Sequence, residues 1–187
     1  MSDTISFTQT AGIATLAFNN PQRRNALGAA ELDAIESGLS SLDENARALL
    51  ITSSDDRVFC AGADLTQILD GSLSGDRFQS VTNKIAALPI PSIATLSGNV
   101  FGGGAELALS CDFRLAREDI VLRIPAAAIG LCYPVEGIER ITRRLGPSMA
   151  RRLLVAAETF SAEQMLALGI VDEVYSTDSL HTAAQRY

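Results

Sequence analysis

Residues 92–109 read SIATLSGNVFGGGAELAL, and this segment sets the organisation of the 187-residue chain. It predicts a short apolar strand, a tight loop, three consecutive glycines and then a helix. Glycines have no Cβ, so the backbone can turn sharply and approach a ligand closely. The first N–H groups of the following helix have no partner within it. The segment is therefore suited to hold negative charge, either a phosphate or an oxyanion formed during a reaction.

The composition is typical of one soluble globular domain. The chain is long enough to bury a core, and 47% of its residues are hydrophobic while 20% are charged. A formal net charge of −7 argues against a general nucleic-acid-binding protein. No apolar run approaches the ~20 residues that span a bilayer, and the first residues resemble neither a signal nor a transit peptide. We therefore expect a cytoplasmic protein that binds neither nucleic acid nor membrane.

The cysteine and histidine content argues against a metal centre or a disulfide framework. Cys60, Cys111 and Cys132 make an odd number with no C-x-x-C pair. We expect them to be reduced thiols that fill the core. His181 is the single histidine, so a histidine-based metal site or catalytic triad is not expected.

Apolar patterns predict strands and helices in alternation. Alternation of apolar and polar residues over Ile5–Thr10 and Ile13–Phe18, separated by Ala11 and Gly12, predicts a β-hairpin. Further strands are predicted at 48–52, 113–116, 120–123 and 170–175. Helices are predicted at 29–42, 78–88, 138–145, 149–156, 162–168 and from 180 onward, with a mobile polar loop at 70–77. This order predicts an α/β fold with mixed strand pairing.

A second segment repeats the layout of the first. Residues 58–65 read VFCAGADL, and Asp64 suits the start of a helix because its carboxylate complements the positive end of the helix dipole. Each segment passes from a strand through small residues into a helix and can present one backbone N–H. Two such donors at about 2.7–3.1 Å from a developing O⁻ form an oxyanion hole.

Nucleotide binding is the competing interpretation of the glycines. The glycines at 98, 102, 103 and 104 do not spell G-x-G-x-x-G, and no Lys-Ser or Lys-Thr follows them. The segment therefore matches neither the dinucleotide fingerprint nor the P-loop.

At these two loops the chain resembles a known family. FCAGADL at 59–65 and GNVFGGGAEL at 98–107 resemble the paired signature of the crotonase (enoyl-CoA hydratase/isomerase) superfamily. NPQRRNAL at 20–27 resembles the family's N-terminal ligand loop, and CD at 111–112 and LALGIVD at 166–172 fit later landmarks. The resemblance extends along nearly the whole chain.

The resemblance implies a fold, a ligand class and an assembly. The fold would be an α/β spiral of β-β-α turns forming one core domain over residues 1–187, assembled as a homo-oligomer, a trimer or dimer of trimers. The ligand would be an acyl-CoA thioester, so coenzyme A is part of the substrate and no separate cofactor is expected. The family's C-terminal helices, which cover the acyl pocket and build the trimer, are expected to be absent or truncated. Apolar surface would then be exposed or covered by neighbouring subunits.

The resemblance also implies which residues contact the ligand. The amides of Ala63 and Gly103 would hold the thioester oxygen as it becomes an enolate. The loops at 23–27 and 61–66 would bind the coenzyme A. The implied binding residues are Arg24, Ala26, Ala61, Ala63, Asp64, Leu65, Thr66 and Gly103. Arg23 or Arg24 would either face the phosphates or remain solvated, and residues 70–77 would shape the acyl pocket.

The chain departs from the hydratase pattern at one position. Hydratases of the family use two glutamates, of which Glu106 matches the first. The second directly follows a proline, and here Pro125 is followed by Ala126. A methyl group cannot transfer a proton, so this departure calls two-carboxylate hydration and simple isomerisation into question.

Two nearby residues could compensate for the alanine. Tyr133 lies in a loop similar to that of methylmalonyl-CoA decarboxylase, a family member with a tyrosine at this point and no second glutamate. Glu136 could point inward as an acid or outward into water. The decarboxylase resemblance is incomplete, because that enzyme has a histidine at the position of Ala63.

The sequence therefore favours an enzyme of enoyl-CoA hydratase/isomerase type, a lyase or isomerase of fatty acid metabolism. Its catalytic residues would be Ala63, Gly103, Glu106 and Tyr133. Decarboxylation of a small malonyl-CoA-type substrate with Tyr133 is the alternative reaction. A non-catalytic acyl-CoA-binding protein and a structural subunit that binds no coenzyme A are the alternatives outside catalysis.

Overall fold

Strands and helices alternate along residues 3–186, the part of the chain that the computed structural model describes. The strands are β1 Ile5–Thr10, β2 Ile13–Phe18, β3 Ala26–Leu27, β4 Ala48–Ser53, β5 Val58–Cys60, β6 Gly62–Ala63, β7 Ser92–Leu96, β8 Asn99–Phe101, β9 Phe113–Arg117, β10 Val121–Arg123, β11 Thr159–Ser161 and β12 Glu173–Tyr175. The helices are α1 Ala29–Ser40, α2 Leu65–Leu69, α3 Gly75–Ala86, α4 Gly103–Ser110, α5 Val135–Leu154, α6 Ala162–Ala167 and α7 Thr177–Ala184.

The larger sheet has the strand order β1-β2-β4-β7-β9-β12. The first two strands form the predicted antiparallel hairpin, in which Ile5 pairs with Phe18 and Thr10 with Ile13. The remaining strands are parallel to β2 and to one another. Parallel neighbours need crossover connections, which the helices provide. The continuous apolar run in β4 is explained by this position, because Leu49 and Ile51 are fully buried.

A smaller sheet collects the short strands, in the order β11-β10-β8-β5, and β3 pairs separately with β6. Four times along the described residues, a strand of the larger sheet is followed by a short strand and then a helix: β2-β3-α1, β4-β5-α2, β7-β8-α4 and β9-β10-α5. In the second of these units β6 lies between the short strand and the helix. This repeated unit is the predicted spiral of β-β-α turns, and the α/β fold class is confirmed.

Several predicted boundaries are wrong for identifiable reasons. Helix α3 begins at Gly75 rather than at 78, because the Ser74 hydroxyl accepts a hydrogen bond from Arg77 N at 3.2 Å and caps it. The predicted mobile loop at 70–77 is therefore partly helical. The helices predicted at 138–145 and 149–156 belong to α5, which starts earlier and is interrupted at Gly146 with φ +80°. The last strand is shorter than predicted, because β12 starts only at Glu173.

Four of the short strands, β3, β6, β8 and β11, were not predicted, whereas β10 was. The glycine-rich segment contains β8, whose three residues pair with β5 and β10 inside what the pattern indicated as a loop. Two or three residues are too few to display an alternation of polar and apolar side chains. Strands β3, β6 and β11 escaped prediction for the same reason.

The cysteines are free thiols, as predicted, but only two of them fill the core. Cys60 and Cys111 are fully buried, and burial raises the pKa of each thiol to about 12. Cys132 is exposed, so its predicted place in the core is wrong. It lies in an irregular loop before α5, where no helical or strand period indicated which side chains face inward.

Within the described residues, every helix is too short or too polar to cross a membrane.

Asn25 holds the loop before β3 in place. Its side chain is buried, with 1% of the residue surface exposed, and its backbone has φ +53°. The amide nitrogen Nδ2 donates to Ser53 Oγ and Val58 O at 2.9 Å and approaches Phe59 O at 3.1 Å. The oxygen Oδ1 accepts from Asn20 N at 2.8 Å. One side chain thus ties this loop to the ends of β4 and β5.

We predict that Asn25→Asp lowers the free energy of unfolding by about 3 kcal/mol, because a buried charge would replace an amide donor that faces three oxygens. Urea denaturation of both proteins measures this difference. Asn19→Asp is the matched control, because Asn19 is exposed and lies six positions earlier in the chain. It should change stability by less than about 0.5 kcal/mol. Equal effects of the two substitutions would contradict this role of Asn25.

Candidate active site

The two predicted turns line one cavity of about 260 Å³. Ala61 and Ala63 come from the first turn, and Gly102, Gly103 and Glu106 come from the second. The rest of the lining is mostly apolar and comes from α2, α3 and the segment 125–134: Leu65, Ile68, Gly75, Phe78, Gln79, Pro125, Ala126, Ile129, Leu131, Cys132, Tyr133 and Pro134. Such a cavity, apolar with a few polar groups, is typical of a small-molecule site.

Glycine allows the two turns to touch. A Cβ on Gly62 would lie 2.4 Å from the amide nitrogen of Gly103, and Gly62 has φ +88°. A Cβ on Gly104 would lie 2.5 Å from Cys60 O. Both distances are shorter than any real carbon contact, so a side chain at either position would force the turns apart.

The backbone directions suit two converging N–H donors. Asp64 N donates to Leu27 O at 2.9 Å, towards β3. Because successive N–H groups of an extended strand point to opposite sides, the N–H of Ala63 points away from β3. Gly103 is the first residue of α4, where an N–H has no acceptor within the helix. Both residues border the same cavity, so one oxygen there could accept from both.

Asp64 organises the start of α2. It is buried, its Oδ1 accepts from Thr66 N at 3.0 Å, and its Oδ2 accepts from Arg23 Nη2 at 2.6 Å. Arg23 is thereby drawn towards α2. Arg24 is exposed and has φ +53°. Its carbonyl oxygen accepts a hydrogen bond from Ala61 N at 3.0 Å. The two predicted ligand loops are thus directly joined.

The residues predicted to bind coenzyme A cluster around this junction. Ala26 pairs with Gly62 in the short β3-β6 ladder, and Leu65 and Thr66 are exposed at the start of α2. The complete set brought together is Arg24, Ala26, Ala61, Ala63, Asp64, Leu65, Thr66 and Gly103. Their contact with coenzyme A stays a prediction.

Glu106 is a buried carboxylate in the cavity wall. Only 1% of its surface is exposed. Burial raises the pKa of its carboxyl, and nearby Tyr133, Gln79, the Arg140 guanidinium and Thr82 partly offset that rise. Arg140 Nε lies 3.9 Å from Oε1, and Thr82 Oγ1 donates to Oε1 at 3.4 Å. A raised pKa makes a carboxylate a stronger base than an ordinary one, which suits it to accept a proton and return it during a reaction.

Tyr133 lies against Glu106. A Cβ on Gly137 would lie 2.6 Å from Tyr133 Cε1 and 2.8 Å from Glu106 Oε2, so glycine at 137 makes room for both side chains. Burial, together with the charge of Glu106, raises the pKa of the Tyr133 hydroxyl well above its usual value. The hydroxyl therefore stays protonated and can donate a hydrogen bond but not act as a base.

The cavity holds no second carboxylate among the residues that the structure describes. Ala126 borders it directly, next to Pro125. Glu136 is exposed and lies outside the lining, so the outward of its two predicted orientations is observed. Any acid or base chemistry by a carboxylate in this cavity depends on Glu106.

Three polar residues near Glu106 were missed by sequence reasoning: Gln79 and Thr82 on α3, and Arg140 on α5. A weak signal existed for the first two. They lie among the helical positions of α3 that the structure buries, together with Phe78, Val81 and Ile85. Polar residues on the apolar stripe of an amphipathic helix indicate a buried polar site. Arg140 carries no comparable signal, because it is one of several arginines on α5.

Comparison with known proteins gives one family. The family model described as enoyl-CoA hydratase/isomerase matches residues 8–187. A relative from Bos taurus, named enoyl-CoA hydratase domain-containing protein 2, mitochondrial, is 36% identical over 180 residues. The match covers 92% of this chain and 61% of that protein, so the chain spans about three fifths of that relative's length.

Solved structures agree with the family match. A crystal structure of enoyl-CoA hydratase from Bacillus anthracis superposes with a TM-score of 0.91 at 27% identity, over 98% of this chain and 74% of that one. A crystal structure of methylmalonyl-CoA decarboxylase also gives a TM-score of 0.91 at 27% identity, over 100% of this chain and 73% of that one. The chain belongs to the enoyl-CoA hydratase/isomerase family.

We predict that Glu106→Gln stabilises the protein at neutral pH. The folded-state pKa of Glu106 lies above the ordinary value of 4.5, so the wild-type protein loses stability as the pH rises from 4.5 through that raised value. The stability gained by the substitution should shrink as the pH falls through the raised value towards 4.5, because the wild-type carboxyl is then neutral, as the glutamine amide is. Urea denaturation across this pH range measures it. The exposed Glu139→Gln is the control, and a gain that does not vary with pH would contradict the assignment.

Proposed function

We propose that this member of the enoyl-CoA hydratase/isomerase family acts on acyl-CoA thioesters and stabilises a thioester enolate. One observation carries the proposal: Ala63 and Gly103, from separate turns, line the same cavity as the buried Glu106. An oxygen that receives both N–H groups gains roughly 2.7–4 kcal/mol of transition-state stabilisation from each donor. The thioester carbonyl is the oxygen on which charge develops.

Hydration with one carboxylate is the reaction that these residues fit best. Glu106 takes a proton from water as the water oxygen bonds to the β-carbon of an enoyl thioester. The electrons of the double bond move to the thioester oxygen, held by the amides of Ala63 and Gly103. Glu106 then gives its proton to the α-carbon and returns to its ionised form. One water is consumed, and Ala126 is not required to transfer a proton.

The coenzyme A would extend from this cavity across the junction of the two ligand loops. Arg23 is held by Asp64, whereas the Arg24 side chain makes no ion pair with any described residue. Arg24 is thus the arginine that can face the phosphates of coenzyme A.

The absence of a separate cofactor or metal from the reaction stays a prediction.

Decarboxylation of a malonyl-type thioester is the second candidate, favoured by Tyr133 and Ala126. The bond from the α-carbon to the carboxylate would break and release CO₂, its electrons would move to the same thioester oxygen, and the enolate would then take a proton from water at the α-carbon. Tyr133 offers a buried hydroxyl donor, and Ala126 removes one negative charge from the cavity. The charge on Glu106 opposes this reaction, because it would repel the substrate carboxylate.

A trimeric assembly and a cytoplasmic location stay predictions of the sequence. Large apolar side chains are exposed on several helices, including Leu69 with 79% of its surface accessible. Such surface is consistent with contacts between subunits. The Bos taurus relative is named as a mitochondrial protein.

We predict that the protein hydrates crotonyl-CoA and releases no CO₂ from methylmalonyl-CoA. Absorbance of the conjugated thioester follows the first reaction, and CO₂ release follows the second. CO₂ release without hydration would instead support the decarboxylase. Tight acyl-CoA binding with neither activity would leave a binding protein, and no rise in melting temperature with acyl-CoA would reject the proposal altogether.

We predict that Gly103→Pro loses about 10²–10³-fold more activity than Gly103→Ala, because only proline removes the N–H donor. Both variants place a carbon against the Phe78 ring, at 2.6 Å from Cζ before any adjustment, so the alanine variant is the matched steric control. Proline is tolerated at the first position of a helix, which favours folding. Turnover of crotonyl-CoA, with circular dichroism to verify folding, measures the effect. Equal activities would exclude this amide from catalysis.

A further inference from the structure

Gln79 is an anomaly in the cavity wall. It lies on α3, has 3% of its surface exposed and borders the same cavity as Glu106. Neither its Nε2 nor its Oε1 has a hydrogen-bond partner within the described residues. Most buried polar groups in folded proteins are paired, and an unpaired amide opposes folding. A leucine or methionine would suit an apolar cavity better, so the amide points to a polar ligand.

Two further polar groups face the same region. The Tyr133 hydroxyl is also buried without a hydrogen-bond partner within residues 3–186. Both Tyr133 and Gln79 lie close enough to Glu106 to favour its charged form, yet neither meets the geometry of a direct hydrogen bond. Polar groups that are near one another but not bonded are commonly bridged by a small polar molecule. The three side chains thus form a polar end in a mostly apolar cavity.

The mixture of donors and acceptors selects the chemistry of that molecule. Gln79 Nε2 and the Tyr133 hydroxyl can donate, whereas Gln79 Oε1 and the Glu106 carboxylate accept. A second carboxylate would only accept and would be repelled by Glu106. An ammonium group would only donate and would leave Nε2 without a partner. A neutral hydroxyl group both donates and accepts hydrogen bonds, so it can pair with the donors and with the acceptors of these three side chains.

We propose that Gln79 binds and orients the oxygen that is added to the acyl chain: water in the forward reaction and the 3-hydroxyl of a 3-hydroxyacyl-CoA in reverse. This inference rests on the proposed function and names its substrate class. Gln79 positions the oxygen with Tyr133, and Glu106 transfers the proton. The Gln79 amide orients the added oxygen, as a second carboxylate at 126 would have done, but the amide does not transfer a proton.

The test compares affinities for 3-hydroxybutyryl-CoA and butyryl-CoA by calorimetry, since the two differ only in the hydroxyl. We expect the wild-type protein to bind the hydroxy compound about tenfold more tightly, a ratio that corresponds to the net free energy of one hydrogen bond. Gln79→Met should reduce this ratio to near one while leaving butyryl-CoA affinity within about threefold. It should also slow crotonyl-CoA hydration by about 10–100-fold.

Gln67→Met is the matched control, because that glutamine lies outside the cavity and its Oε1 already accepts from Ala29 N at 2.9 Å. It should keep the wild-type ratio. Tyr133→Phe is a second variant, independent of α3, and should also lower the ratio. An unchanged ratio in both cavity variants, with butyryl-CoA still bound, overturns the assignment of Gln79 alone. Failure of the folded wild-type protein to bind either thioester overturns the proposed function and this assignment with it.

Discussion

The contact between two glycine-containing turns is the constraint on which the rest of the site depends. The amide of Gly103 lies where a side chain on Gly62 would begin, so the turns can meet only if that side chain is absent. The ladder β3-β6 and the buried Asn25 hold the first turn, and pairing of β8 with its two neighbours holds the second. Ala63 and Gly103 are thereby held at the edge of one cavity before any ligand arrives, and the proposed stabilisation of an enolate depends on donors that are held in this way.

Burial of polar groups is the second feature, and it opposes stability. Glu106 is enclosed by residues of α3, α5 and the segment before α5, and Tyr133, Gln79, Arg140 and Thr82 only partly offset the cost of burying its charge. Gln79 and Tyr133 add polar atoms that have no hydrogen-bond partner in the part of the chain that the structure describes. A protein selected for stability alone would fill this region with apolar side chains. The concentration of such groups in one cavity of about 260 Å³ is the physical mark of a functional site.

Much of the architecture follows from periodicity, and the failures have physical causes. The hairpin of β1 and β2 was predicted to the residue, because two segments with a largely alternating pattern flank a two-residue turn. Strand β8 was missed because three residues carry no period. The start of α3 was placed late because a capping serine, rather than an apolar residue, marks it. Cys132 was assigned to the core although its loop has no period to define an inside.

The sequence by itself determined the alternation of strands and helices and the residues of the two turns, because glycines without side chains and helix-start residues act locally and are visible in the order of residues. The spiral of β-β-α turns was implied only by the resemblance to a known family. It also revealed that Ala126 cannot transfer a proton. Only the tertiary structure decided which polar side chains surround Glu106. Gln79 and Tyr133 are 54 residues apart in the chain, and they face one cavity because α3 and the segment before α5 pack against α4. Local patterns contain no information on such packing, which arises only when the helices bury their apolar faces together.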